Sequence, residues 1–264
     1  MKKYLEAAKT AAVKAGSLLR ERINGRREVF YKGEINLVTE MDRISERTIV
    51  EIILKTFPDH GILAEEEARF ENKSDFLWII DPLDGTTNYA HGYPCFSVSI
   101  GLEHEGNVII GVVYDPMRDE LFSAARGQGA FLNESPITVS RNDVLIRSLL
   151  ATGFPYDRAV SKDNNLNYFN ALIMASQEIR RSGSASLDLC AVAAGRLDGY
   201  WELKLHPWDV AAGSLIVQES GGVVSDFTGT RFSIRDKEIV ASNGRIQGFM
   251  LDILNTEKKR HDRS

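Results

Sequence analysis

Hydrophobic positions recur three and four residues apart through the first segment: Leu5, Ala8, Ala12, Ala15, Leu19 and Ile23, with Lys and Arg on the other face. That period predicts an amphipathic helix over residues 2–23, stopped at Asn24-Gly25. A polar, Gly-containing loop over 31–39 runs into a short strand. A second helical stripe follows, made of Ile44, Ile49, Ile52, Ile53 and Phe57. Asp42 is placed to cap its start and Pro58 to end it.

The pattern then changes. Gly61-Ile62-Leu63-Ala64 and Leu77-Trp78-Ile79-Ile80 are continuous apolar runs of strand length, and each runs straight into acids, Glu65-Glu66-Glu67 and Asp81. Pro82 cannot donate a ladder hydrogen bond, so the second strand is expected to stop there. Alternation of period two over 97–103, 107–114 and 120–125 predicts antiparallel strands, with turns at Glu105-Gly106 and 115–119. Beyond about Arg141 strands and helices alternate: strands at 148–151, 197–203, 223–224 and 238–241, helices at 164–178, 187–194, 210–219 and 246–254. A solvated tail begins at Lys258. The chain reads as one unit, 1–264, in two halves, about 1–142 (α+β) and 143–264 (α/β), without internal repeats.

Composition narrows the class. The 264 residues are 43% hydrophobic and 26% charged, as in ordinary globular proteins. A net charge of −5 argues against a general nucleic-acid binder. Two cysteines, Cys95 and Cys190, without a C-x-x-C pair, argue against a thiolate metal site and a disulfide framework and fit a reducing cytoplasm. No apolar run approaches membrane-spanning length, so no membrane partner is expected. Gly127-Gln128-Gly129 lacks the third glycine of a dinucleotide fingerprint, and neither a P-loop nor H-E-x-x-H occurs.

The chemistry concentrates in L-W-I-I-D-P-L-D-G-T-T-N-Y-A-H-G, residues 77–92. Asp81 and Asp84 at a strand end, with the Leu83 carbonyl between them, offer hard oxygen ligands to a divalent cation such as Mg²⁺. A bridging Asp81 suits two ions roughly 3.5–4 Å apart, the arrangement of two-metal phosphoryl hydrolases. The Gly85 and Thr86 amides can open a helical turn and meet phosphate. Asp-Pro and Asp-Gly are also ordinary turn dipeptides, as at Asp115-Pro116 and Asp198-Gly199. The company of Glu65, at another strand end, and Asp209, opening a small-residue helix after Pro207-Trp208, distinguishes this pair.

Ala64-Glu65-Glu66, W-I-I-D-P-L-D-G-T-T-N-Y at 78–89 and W-D-V-A-A-G at 208–213 stand together in one order and spacing. Tyr31-Lys32, L-V-T-x-x-D at 37–42 and Gly183-Ser184-Ala185 accompany them. In these motifs, over essentially the whole chain, the sequence resembles the inositol monophosphatase family of metal-dependent sugar phosphatases. The resemblance implies an α+β fold, a layered αβαβα sandwich, usually in a homodimer. It also implies lithium-sensitive hydrolysis of phosphate monoesters with two to three Mg²⁺ per subunit. By resemblance, Glu65, Asp81 and the Leu83 carbonyl would hold one ion, and Asp81, Asp84 and Asp209 the second. Glu65 and Thr86 would activate water, with Asp84 also catalytic. Asp84, Gly85, Thr86, Gly183, Ser184, Ala185, Glu202 and Asp209 would contact substrate, and Lys32, Asp42 and Glu66 would support them. His91 and His206 match no ligand position. Inositol 1-phosphate is the first substrate expected. The alternatives are fructose 1,6-bisphosphate or dual specificity, and a regulatory binding protein that retains the fold.

Overall fold

A computed structural model of the chain describes residues 1–25, 29–31, 37–67, 69–70 and 74–261; Lys32 lies outside them. Helix α1 (Lys2–Arg22) turns Ala8, Ala11, Ala12, Ala15 and Leu19 inward. Strands β1 (Val29–Tyr31) and β2 (Leu37–Thr39) pair antiparallel ahead of α2 (Glu40–Thr56). The cap of α2 corrects the expectation for Asp42. Thr39 is the N-cap, its hydroxyl accepting the Met41 N–H, and Asp42 closes the capping box by accepting the Thr39 N–H at 2.7 Å. A hydroxyl residue three positions upstream takes the cap, which leaves Asp42 inside the helix.

The first sheet comprises β3 (Gly61–Ala64), β4 (Arg69–Phe70), β5 (Phe76–Asp84), β6 (Ser97–His104), β7 (Asn107–Asp115), β8 (Glu120–Ala125), β9 (Ala130–Leu132) and β10 (Ser135–Ile137). Its order is β10-β9-β8-β7-β6-β5-β3-β4, antiparallel except for β3 beside β5. The short helix α3 (Thr86–Ala90) links β5 to β6.

The remainder supplies β11 (Leu149–Thr152), α4 (Leu166–Ala175), β12 (Glu178–Arg180), α5 (Ala185–Ala193), β13 (Gly199–Leu203), α6 (Pro207–Glu219), β14 (Val223–Ser225), β15 (Glu238–Ser242) and α7 (Gln247–His261). The second sheet runs β12-β11-β13-β15-β14, with β11 parallel to both neighbours. Three apolar cores alternate with the sheets. One lies under α1 and α2, one holds α5 and α6 between the sheets, and one lies under α4 and α7. This is the αβαβα sandwich.

Three segments depart from the periodicity. β5 continues through Pro82 to Asp84. The helix expected over 164–178 ends at Ala175, where Ser176 adopts extended backbone and its hydroxyl and N–H both bond Leu172 O. Residues 178–180 then add an edge strand with Ile179 packed inward. The tail is helical to His261, with Lys258 bonded to Glu238 at 2.5 Å across the end of β15. Among the described residues no helix is long and apolar enough to cross a membrane.

Small residues set the approach of α6 to the first sheet. A Cβ on Gly101 would lie 2.9 Å from the Ala211 Cβ, and one on Gly111 would lie 2.6 Å from the Ala212 carbonyl oxygen. Asp209 sits in the first turn of that helix. Gly111→Ala must therefore push backbone, and is expected to cost about 1–3 kcal/mol, read as a lowered thermal midpoint. An unchanged midpoint would contradict the close packing.

Candidate active site

Strands β3 and β5 end side by side, Ala64 opposite Ile80, so Glu65 and Asp81 leave the sheet at neighbouring positions. The Glu65 N–H donates to Ile80 O at 3.2 Å. Asp81 pairs with Ser99 and Asp84 with Ser97, three steps on β5 against two on β6. In a regular strand residues three apart point to opposite faces; the extra residue of a bulge returns both aspartates to one face. Pro82, with no N–H to leave unpaired, is at home in that bulge. The freed backbone groups are all used. Pro82 O accepts from the Ser45 hydroxyl at 2.6 Å, the Leu83 N–H donates to Asp81 Oδ1 at 3.0 Å, and Leu83 O lies 3.0 Å from Thr86 Oγ1. That hydroxyl is also 3.0 Å from Asp42 Oδ1, one proton facing two acceptors.

The second half of the chain closes the other side. Ser184 caps α5, and Asp84 Oδ2 accepts from the Ser184 hydroxyl (2.7 Å), the Ser186 hydroxyl (2.6 Å) and the Ser186 N–H (2.8 Å). Asp209 accepts the His206 N–H at 2.6 Å, and the His206 ring stacks on Trp208. Asn88 donates from one amide nitrogen to Cys95 O and Ser182 O, which ties α3 to the 182–184 turn. Gly85 (φ +100°) and Gly183 (φ +91°) meet across this seam, where a Cβ on Gly85 would approach Gly183 O at 3.3 Å. On β13, Glu202 accepts the buried Tyr200 hydroxyl at 2.5 Å.

Together these walls enclose a cleft of about 830 Å³, lined from the first half of the chain by Glu65, Asp81, Leu83, Asp84, Gly85 and Thr86. Gly183, Ser184, Ala185, Asp188, Glu202 and Asp209 line it from the second half of the chain. Charge is concentrated there. Burial, then the charges of Glu65, Asp84 and Asp209, push the Asp81 carboxyl well above the usual carboxylate range. Desolvation and the Asp84 charge do the same to Asp209, which is half-buried. Burial also raises Asp84, against the opposing pull of its serine donors. Glu202 is pushed up to about 7 by burial, and Asp42 to about 6 by burial and the nearby Glu66 charge. Among the described residues no three His, Cys, Asp or Glu side chains are gathered into a single ligating cluster.

A profile of the "Inositol monophosphatase family" matches residues 1–259. The chain belongs to that family. It is 48% identical to an inositol-1-monophosphatase of Synechocystis, over 92% of this chain and 85% of that protein. It is 43% identical to the Nus factor SuhB of Escherichia coli, over 97% of each. The solved inositol monophosphatase of Anabaena superimposes with a TM-score of 0.89 at 46% identity, over 97% of this chain and 96% of that one.

Within this family member, the fold brings Glu65, Asp81, Leu83, Asp84, Gly85, Thr86, Gly183, Ser184, Ala185, Glu202 and Asp209 to one cleft. Asp42 and Glu66, expected to support the site, stand outside the lining: Asp42 Oδ1 lies 3.0 Å from the Thr86 hydroxyl, and the Glu66 charge acts on Asp42. Glu67 pairs with Arg43 at 3.3 Å. Sequence reading missed Ser186, Asp188, Asn88 and Tyr200. Ser186 and Asp188 follow Gly183-Ser184-Ala185 directly, and a short polar interruption of an apolar helix start was the available signal. Gly153 is also a lining residue that periodicity could not single out. A Cβ there would overlap the Glu202 carboxylate, which Tyr200 holds in place. Gly153→Ala is expected to leave the fold intact and raise KM for a phosphate ester roughly 10- to 100-fold, by misplacing Glu202. An unchanged KM would argue against a substrate contact at Glu202.

Proposed function

We propose that this chain is a divalent-cation-dependent phosphate monoester hydrolase acting on a polyol phosphate, with inositol 1-phosphate the preferred candidate. The observation that carries it is that Glu65, Asp81, Asp84 and Asp209 line one cleft together with Glu202, the four near enough for their charges to act on one another. The donor set fits Mg²⁺: hard, anionic oxygens that burial and mutual repulsion leave short of positive charge. Glu65, Asp81 and the Leu83 carbonyl would hold one ion, and Asp81, Asp84 and Asp209 another; a third near Glu65 is compatible with the adjoining acids. When bound, such ions supply an acidified water and neutralise charge on the phosphoryl oxygens.

The protein's own groups do the rest. Glu65 takes the proton from the attacking water. The Thr86 hydroxyl, oriented by Asp42 and Leu83 O, holds that water in line. The Gly85 and Thr86 amides meet the phosphoryl oxygens; α3 is only five residues long, so the amides themselves matter more than any helix dipole. Asp84, held by Ser184 and Ser186, presents its other oxygen to the cleft. Glu202 and the 183–185 turn receive the polyol hydroxyls. A homodimer in the cytoplasm, as in the family expectation, belongs to the same reading. The name of the Nus factor relatives motivates a second, binding role alongside catalysis.

The test is phosphate release from inositol 1-phosphate and from fructose 1,6-bisphosphate, with and without Mg²⁺. Mg²⁺-dependent release supports the reading, and the ratio of rates assigns the substrate. Cation-independent release, or none from either ester, would count against it.

A further inference from the structure

The inner face of α2 is polar where it should be apolar. Asp42, Ser45, Glu46, Ile49 and Ile53 lie on one buried stripe, and the first three each reach a different segment in or next to the cleft lining. Asp42 meets Thr86 and Ser45 meets the Pro82 carbonyl. Glu46, 4% exposed, accepts the Glu66 N–H on Oε2 at 2.8 Å and the Glu67 N–H on Oε1 at 2.9 Å.

We propose that Glu46 is a positioning residue whose buried carboxylate clamps the peptide groups after Glu65 and so holds that side chain beside Asp81. The inference rests on the reading of Glu65 given above. Glu65 opens a run of three like charges and feels the charges of Asp81 and Asp209 in the cleft, and repulsion alone would drive it outward to water. Charge-assisted bonds from two consecutive amides to one rigid, helix-borne carboxylate oppose that displacement. The exposed Glu67–Arg43 pair adds little to this, being screened by solvent. The device needs both carboxylate oxygens. A glutamine has one acceptor, and its NH₂ would face the second N–H donor to donor. Shortening to aspartate would withdraw the carboxylate from both amides.

The experiment compares the full chain with Glu46→Gln and, as a control for the loss of one charge, Glu51→Gln at an exposed site on the same helix. Hydrogen exchange is read at the 66 and 67 amides, Mg²⁺ binding by calorimetry, and kcat, KM and half-maximal Mg²⁺ from phosphate release. Glu46→Gln is expected to speed exchange at both amides at least tenfold and weaken Mg²⁺ about 10- to 100-fold. KM should change less, and Glu51→Gln should match the parent. Retained protection with Mg²⁺ affinity within twofold of the parent would overturn the proposal. If Glu46→Gln does not fold, the parent protein decides: slow exchange at both amides supports the clamp, and free-peptide rates overturn it. If the parent releases no phosphate, the hydrolase reading fails separately, and exchange and calorimetry still settle the clamp.

Discussion

Asp81→Asn is expected to abolish phosphate release while raising the melting temperature of the cation-free protein. Asn keeps an oxygen for the Leu83 N–H that Asp81 now accepts at 3.0 Å, so the bulge survives. What disappears is a buried negative charge surrounded by Glu65, Asp84 and Asp209. In the proposed reaction that charge would help to hold both ions, and its loss should cost on the order of 10³-fold in rate, about 4 kcal/mol of transition-state stabilisation. Without cations the same charge is pure repulsion and desolvation, so its removal stabilises. For a chain of this size each kcal/mol moves the midpoint about 2–4 °C. Scanning calorimetry in chelator and a phosphate assay in Mg²⁺ check the two halves. A variant that keeps a tenth of the activity, or melts lower without cations, would refute the shared role of Asp81.

The stability of the cation-free protein should fall as pH rises from about 4 toward 8, and Mg²⁺ should reverse the fall. The sign follows from Asp81, Asp84 and Asp209, whose carboxyls all sit above their ordinary range in the folded chain. Between the unfolded and folded values the native state binds more protons than the unfolded state, so stability declines with pH. The contribution is complete below the unfolded value near 3.8 and is lost as pH climbs through the folded values. Each pH unit of displacement in one group is worth about 1.4 kcal/mol. A cation that binds only the native, ionised cluster stabilises by mass action, so its effect on the midpoint should be larger at pH 8 than at pH 5. Equal increments at the two pH values would mean that the acids do not share an ion.

Much of the cleft was legible because its residues sit where chemistry interrupts a pattern. Glu65 and Asp81 end apolar strands, and the small residues of α6 announce the close packing that places Asp209. Pro82 was misread because its missing N–H terminates a regular ladder but suits a bulge, and only strand pairing distinguishes the two. Ser45 and Glu46 were invisible for a different reason. They continue the stripe of Ile49 and Ile53 in helical phase, yet hydrophobicity assigns polar residues to solvent. Following the stripe's phase instead of its polarity would have found them. The edge strand β12 escaped because Glu178-Ile179-Arg180 is too short to show a period of its own.

Glu65 and the 81–84 bulge end neighbouring strands of the first sheet, but Asp209 comes from α6, in another layer and far along the chain. Contacts of that separation form late, after loop closure has been met elsewhere. A partly folded chain therefore has no complete set of ligands to offer. A cation should leave the folding rate nearly unchanged and slow unfolding instead, since it binds a configuration absent from the transition state. Its stabilisation would appear in the lifetime of the native protein: resistance to proteolysis and heat should follow the supply of divalent ions, while the speed of refolding should not.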